Sequence, residues 1–374
     1  MDEIIGVDVS RAFKGFLSGT EYYSKEITRS VLEAGNDKYK FRLYSNKPIG
    51  NTFGKLSSKI ESRIIPFPRF WTQLRLSFEI VTHKPSVLFV PAHTIPLICP
   101  TKTVVTVHDL GFMHYPELYR PIERFMHKYI MSYAIKKATK IVAISQATKD
   151  DILKFYPKID ASKIRIVYQG LNHKRFRPVK PTDDLKYRKQ YGKYILFVGR
   201  IEERKNIARM IEAFALLKKE RGVDHKLVLA GRPRYGYNRF MEIIDKLPSN
   251  IQKDIILPGY ISDNDLPILL READIFLYPS LFEGFGLPIL EAYASGVPVV
   301  TSNVTSMPEV AGKAALIVNP YKTLEIASAL SQIIHKPKLR DDLIYAGKKR
   351  ALKFNWEITG QQTLEIILDA LKKK

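Results

Sequence analysis

Residues 280–300 read SLFEGFGLPILEAYASGVPVV, and this stretch carries the strongest indication of the fold. An apolar run over 275–278 precedes it, and Glu283-Gly284-Phe285-Gly286 forms a loop. Helical periodicity then opens near Leu287, with Pro288 in the first turn, where a missing N–H costs nothing. A second apolar run over 297–301 follows. Strand, glycine loop, helix and strand make the repeating unit of a parallel sheet flanked by helices. The glycines let a ligand approach the backbone closely, and the free N–H groups of a helix start favour anionic or hydroxyl-rich groups. Glu283 in the loop and Glu291 one turn into the helix stand eight positions apart. Two carboxylates so placed can each accept hydrogen bonds from vicinal hydroxyls, a sugar at one end of an extended ligand and a ribose at the other.

The same alternation of short apolar runs and amphipathic stretches extends outward in both directions. In the first half it predicts strands over 3–9, 40–44, 86–90, 103–107, 140–144 and 163–167, with helices near 20–32, 73–81, 120–137 and 147–155. Residues 170–182, GLNHKRFRPVKPT, mix Gly, Asn and Pro with charge and read as a linker. Beyond it a strand over 194–198 ends at Gly199, and helical periodicity resumes at Ile207. Further strands are expected over 226–230, 255–257, 275–278, 297–301 and 315–318. A chain of 374 residues exceeds one core of roughly 100–200 residues, so two doubly wound α/β domains are expected, 1–170 and 171–355. Residues 356–374 then form a helix after the last strand. In such folds ligands bind beyond the carboxyl ends of the strands.

Composition narrows the function. With 45% hydrophobic and 26% charged residues the chain is globular. It holds no run of roughly 18 apolar residues, and acids occupy the start where a signal peptide carries bases, so a cytoplasmic protein is expected. Cys99 is the only cysteine, which excludes an internal disulfide or a cysteine zinc cluster. Sixty bases against 38 acids give +22, so an anionic partner is expected. The excess is shared by both halves and accompanies no nucleic-acid recognition motif, so no nucleic-acid partner is expected.

The run EGFGLPILEA resembles the signature of the retaining glycosyltransferases of family four, in which two glutamates are separated by seven residues. The resemblance spans nearly the whole chain. It implies the GT-B fold, two Rossmann-like domains facing across a cleft, with a sugar nucleotide held mostly by the second and the final helix crossing back to the first. By that resemblance Glu283 holds hydroxyls of the transferred sugar, Glu291 holds the ribose, and Gly284, Phe285, Gly286 and Leu287 line the ligand. In FVGRIEERKN, Gly199 leads into Arg200 and Lys205, which match the family's phosphate-binding pair and would neutralise a departing diphosphate. TVVTVHDLGF resembles the family's strand-end histidine segment and places His108 on the donor sugar or near its developing charge. His93 and His114 match less well. Residues 15–20, GFLSGT, resemble the glycine loop before the first helix, though Ser18-Gly19 replaces the usual glycine pair. Gly19 and Thr20 would meet donor phosphates or acceptor. Gly259, Tyr260 and Ile261 resemble the segment whose backbone meets the base.

Asp263-Asn264-Asp265 has the D-x-D form of a metal site, but it directly precedes a helical pattern, so Asp263 is read as a helix cap and no metal or other cofactor is expected. Phe67-Pro68-Arg69-Phe70-Trp71 and the basic, apolar helix over 120–137 either rest on an anionic membrane surface or pack into the first domain. The resemblance, whose members often extend lipid-linked glycans at the cytoplasmic membrane, favours peripheral attachment. Residues 302–320, SNVTSMPEVAGKAALIVNP, resemble mannosyltransferases of polysaccharide assembly. The expected activity is therefore retaining transfer of a hexose, mannose from GDP-mannose first, to a glycan or lipid-linked glycan. A UDP-sugar transferase of the same fold and a polyanion-binding protein without turnover are the rivals. A dinucleotide oxidoreductase needs G-x-G-x-x-G after a strand, and neither Gly6 nor Gly199 begins one.

Overall fold

The computed structural model describes residues 3–13, 19–35, 37–54 and 56–372. The chain divides into two compact units, one of residues 1–170 with 355–374 and one of residues 171–354.

The first unit holds a parallel sheet of seven strands: β1 (Ile4–Asp8), β2 (Lys40–Ser45), β3 (Ile60–Ile64), β4 (Val87–Val90), β5 (Lys102–Val107), β6 (Lys140–Ala143) and β7 (Ile164–Ile166). Their order is β3-β2-β1-β4-β5-β6-β7. The central strands are apolar on both faces because helices cover both, and all four residues of Val-Leu-Phe-Val in β4 are buried. β3, which the apolar pattern does not reveal, is an edge strand whose Glu61 is exposed and pairs with Arg42 on β2 at 2.7 Å. Trp71 is buried, its indole N–H donating to the Ile65 carbonyl at 2.7 Å, while Phe67 and Phe70 stay exposed. The helix Pro121–Lys137 buries only Met131, Ala134 and Ile135.

The helix Trp356–Lys372 belongs to this first unit. It lies against the helix Gly19–Gly35 so tightly that a Cβ on Gly360 would stand 2.5 Å from the Ser30 carbonyl oxygen. Its start abuts Gly170, whose Cβ would stand 2.3 Å from the Trp356 nitrogen. Thr359 Oγ1 donates to the Tyr168 carbonyl at 2.9 Å, and Lys102 Nζ reaches the Leu371 carbonyl at 2.7 Å.

The second unit holds a parallel sheet of six strands: β8 (Tyr194–Val198), β9 (Lys226–Ala230), β10 (Ile255–Gly259), β11 (Ile275–Tyr278), β12 (Val299–Ser302) and β13 (Ala315–Val318). Their order is β10-β9-β8-β11-β12-β13. The order reverses between β1 and β4 in the first sheet and between β8 and β11 in the second. At such a switch point the loops leaving the two strands diverge to opposite sides and open a crevice.

Candidate active site

In the second unit the loops leaving β8 and β11 meet at that crevice. The two loops hold each other. Leu281 N–H donates to the Arg204 carbonyl at 2.9 Å. Asn206, left-handed at φ 65°, sends its side-chain amide to the Pro279 carbonyl at 3.0 Å and the Pro320 carbonyl at 2.7 Å.

Between these loops Lys205 and Glu283 form a buried ion pair. Lys205 Nζ also donates to the Tyr278 hydroxyl at 2.9 Å, and that hydroxyl donates to Glu283 Oε1 at 2.9 Å. Tyr278 ends β11 with its ring stacked between Phe197 and Phe276. Arg204 completes the cluster, donating to the Phe282 carbonyl at 2.9 Å and lying 3.4 Å from Glu283 Oε2 and 3.1 Å from Glu202. Burial would raise the Glu283 carboxyl, but the Lys205 and Arg204 charges hold it below its ordinary value. Burial lowers Lys205, with Glu283 opposing, and pushes Tyr278 well up. Tyr278 therefore stays a neutral donor. Arg200, at the end of β8, is exposed and makes no hydrogen bond or ion pair among the described residues, so its guanidinium is available to a ligand.

A third loop, after β12, holds the glycine loop from below. Glu283 N–H donates to Thr305 Oγ1 at 3.2 Å. Ser306 Oγ lies 3.0 Å from the Glu283 carbonyl and 2.8 Å from that of Phe285. Thr305 takes a left-handed φ of 53°, costly for a β-branched residue and worth its strain where it aims a hydroxyl. Gly286 has φ 102°, and a Cβ there would stand 2.8 Å from the Met307 methyl, so glycine is required to start the helix Leu287–Ala294 at this point.

Glu291, one turn along, is half-buried. Burial pushes its carboxyl up to about 7, Arg175 opposing and Asp263 adding. The folded chain thus holds this proton more tightly than an unfolded chain with the ordinary value of 4.5. The resulting stability is complete below that ordinary value and is lost as pH rises through about 7. Glu291→Gln removes the titration and keeps the shape. Its Tm advantage over the parent should be near zero at pH 4 and positive at pH 8, and a pH-independent difference would contradict the shift.

The glycine ends of β8, β9 and β10 lie side by side. Gly199 N–H donates to the Ala230 carbonyl at 3.0 Å and Gly231 N–H to the Gly259 carbonyl at 2.8 Å. A Cβ on Gly231 would stand 1.6 Å from the Gly199 oxygen, so the two loops need glycine there. Tyr260, next to Gly259 and followed by Ile261, is exposed and lies under the Arg232 guanidinium at 4.6 Å.

The cap at Asp263 requires correction. Ser262 Oγ accepts from the Asp265 N–H at 3.1 Å and its carbonyl accepts from Leu266 N–H, so Ser262 rather than Asp263 closes the turn leading into the helix Leu266–Arg271, whose N-cap position is Asp265. Asp265 pairs with Lys186 at 2.8 Å and Asp263 with Arg175 at 3.5 Å.

In the first unit His108 follows β5, 8% exposed. Its Nε2 lies 3.0 Å from the Pro91 carbonyl, and its ring meets the edge of Tyr23 at 4.7 Å. Burial lowers its pKa against the Pro91 hydrogen bond, so the ring is neutral and Nδ1 is left as an acceptor. It can bond a hydroxyl but brings no positive charge. Gly19 and Thr20 are the first residues of the helix Gly19–Gly35, and residues 14–18 lie outside the described residues.

Known proteins share this frame. Residues 180–350 match the model of glycosyl transferases group 1, and residues 34–175 that of glycosyltransferase family 4. Over 270 residues the chain is 33% identical to O-antigen chain mannosyltransferase B of Escherichia coli, covering 70% of this chain and 69% of that one. Over 269 residues it is 29% identical to O-antigen chain mannosyltransferase RfbU of Salmonella typhimurium, covering 72% and 70%. The structure of Anabaena HepE in complex with UDP and glucose superposes with a TM-score of 0.74 at 16% identity, over 99% of this chain and 100% of that one. Two parallel α/β sheets of this order make the GT-B fold. The chain belongs to the family 4 glycosyltransferases.

Proposed function

We propose that this glycosyltransferase moves mannose from GDP-mannose, with retention at the anomeric carbon, to a glycan or lipid-linked glycan in cell-surface polysaccharide assembly. The mannosyl donor and the polysaccharide context are supported by the two O-antigen mannosyltransferases it resembles. The observation that carries the site is the Lys205, Glu283 and Tyr278 cluster at the β8/β11 switch point, with Arg200, exposed and without a partner among the described residues, on the loop leaving β8.

Arg200 and Lys205 meet the diphosphate, Lys205 turning part of its charge from Glu283 to the ligand. Glu283 accepts from the sugar hydroxyls and Glu291 from the ribose. Gly284, Phe285, Gly286 and Leu287 offer backbone donors at the helix start. Gly259, Tyr260 and Ile261 lie beside the base, His108 bonds a sugar hydroxyl through Nδ1, and Gly19 and Thr20 face the phosphates or acceptor. In the transfer step the bond from the anomeric carbon to the phosphate oxygen breaks and the acceptor oxygen forms the new bond on the same face. The acceptor proton passes to the departing phosphate, whose charge Arg200 and Lys205 hold. Two cations suffice for that charge, so no divalent ion takes part.

A panel of GDP-, UDP- and ADP-sugars, read by thermal stabilisation and slow donor hydrolysis, tests the reading. GDP-mannose should stabilise most and hydrolyse in EDTA. Preference for a UDP-sugar would change the donor, loss of turnover in EDTA restored by magnesium would change the mechanism, and salt-sensitive polyanion binding with no sugar-nucleotide response would end it.

Peripheral membrane attachment fits the first unit. Ile122, Phe125, Met126 and Tyr129 line one exposed face of the helix Pro121–Lys137, with Arg124 and Lys128 beside them, and Phe125 is 68% exposed. Among the described residues no helix is long and apolar enough to cross a membrane. The chain should sediment with vesicles of anionic phospholipid at low salt, and Phe125→Ser with Tyr129→Ser should abolish it. No sedimentation of the parent chain would remove the membrane from the reading.

A further inference from the structure

We propose that a cleft in the first unit binds a phosphoryl group, the phosphate or diphosphate carried by the acceptor. The word acceptor rests on the function proposed above; the anion chemistry does not. The cleft has a volume of about 410 Å³ and opens where β1, β2 and β4 end. Arg11 follows β1, Asn46 follows β2 and Thr94 follows β4, so it sits at the carboxyl edge beside the β1/β4 switch point. Its far wall is the segment carrying Arg69, Phe70 and Trp71.

No carboxylate lines this cleft, while two guanidinium groups do. Arg11 Nη2 is steadied by Thr94 Oγ1 at 3.3 Å. The buried Asp8 is the acid in whose field Arg11 lies, and its carboxylate is already engaged by the Ser10 N–H at 3.0 Å. Arg69 is exposed and pairs with no acid among the described residues. Guanidinium forks with nearby hydroxyl and amide donors match a phosphate better than any neutral sugar. The aromatic wall adds the second half of the ligand's chemistry. Trp71 spends its N–H on Ile65, leaving only ring to the cleft, and Phe70 is held at φ 54° with 63% of its surface exposed. A left-handed phenylalanine that gains no burial is strain of the kind kept at ligand sites. The ligand is thus a phosphorylated group attached to an apolar chain or to a sugar.

The test uses the full chain with its donor site filled by saturating GDP or UDP, titrated calorimetrically with farnesyl diphosphate and with mannose 1-phosphate. At least one should bind beside the nucleotide, the first if the phosphate comes from a lipid and the second if it comes from a glycosyl phosphate. Arg69→Ala and Arg11→Gln should each weaken that binding about tenfold and leave nucleotide affinity unchanged. Arg69 is a surface residue, so its variant carries the test if Arg11→Gln fails to fold. The proposal is overturned if neither probe binds beside the nucleotide, or if folded Arg69→Ala binds like the parent. A chain that binds no nucleoside diphosphate would end the transferase reading instead, and the same titrations without nucleotide would still judge the cleft.

Discussion

Glu283→Gln is expected to reduce sugar transfer by about 10²–10³-fold, the range seen when one preorganised charge or donor is removed from a reacting centre. The buried carboxylate is the point on which Lys205, Tyr278 and Arg204 converge. Glutamine preserves volume but cannot balance the Lys205 charge, and breaking a buried pair on one side costs roughly 3–5 kcal/mol. Activity and stability are separated by a second variant. Lys205→Met combined with Glu283→Gln removes both charges, so the Tm should recover toward that of the parent while transfer stays lost. Parental turnover in Glu283→Gln would remove Glu283 from the chemistry. Recovery of transfer in the double variant would show that the ion pair serves folding alone.

The second large effect is expected at the chain end. Ending the chain at Phe354 removes the helix Trp356–Lys372 from its seat on the helix Gly19–Gly35. Trp356, Leu364, Ile366 and Ile367 are buried there. At roughly 1.5–3 kcal/mol for each such side chain, the loss approaches or exceeds a typical domain stability of about 5–15 kcal/mol. The first unit should not fold, and the truncated chain should aggregate or bind a hydrophobic dye. Gly360→Val in the whole chain is the milder probe, because its side chain meets the Ser30 backbone and overpacking costs about 1–3 kcal/mol. A soluble, cooperatively melting truncation would refute this account of the helix.

The alternation of apolar runs and amphipathic stretches was sufficient to read two parallel sheets, because strands buried on both faces must be apolar throughout and helices covering them must be apolar on one side. It missed β3, where alternating Glu61 and Arg63 suit an edge. The glycine loop and its glutamates were legible for a local reason: a tight strand-to-helix turn restricts residue type within a few positions, as Gly286 shows. Arg204, Tyr278, Thr305 and Ser306 left no comparable trace. Tyr278 reads as one more core aromatic in Ile275–Tyr278, and Thr305 and Ser306 as a polar turn. Asp263 reads as the cap because serine and aspartate both suit helix starts, and only the path of the turn gives the backbone N–H of Asp265 to Ser262.

Residue types and their spacing determined the fold class and named Lys205 and Glu283 separately. That these two form one ion pair was decided by the tertiary structure alone. They lie 78 positions apart, and they meet because β8 and β11 are neighbours in the order β9-β8-β11-β12. That adjacency follows from which strands pair, a choice made by the packing of whole layers, whereas a sequence pattern records only the local burial of each strand.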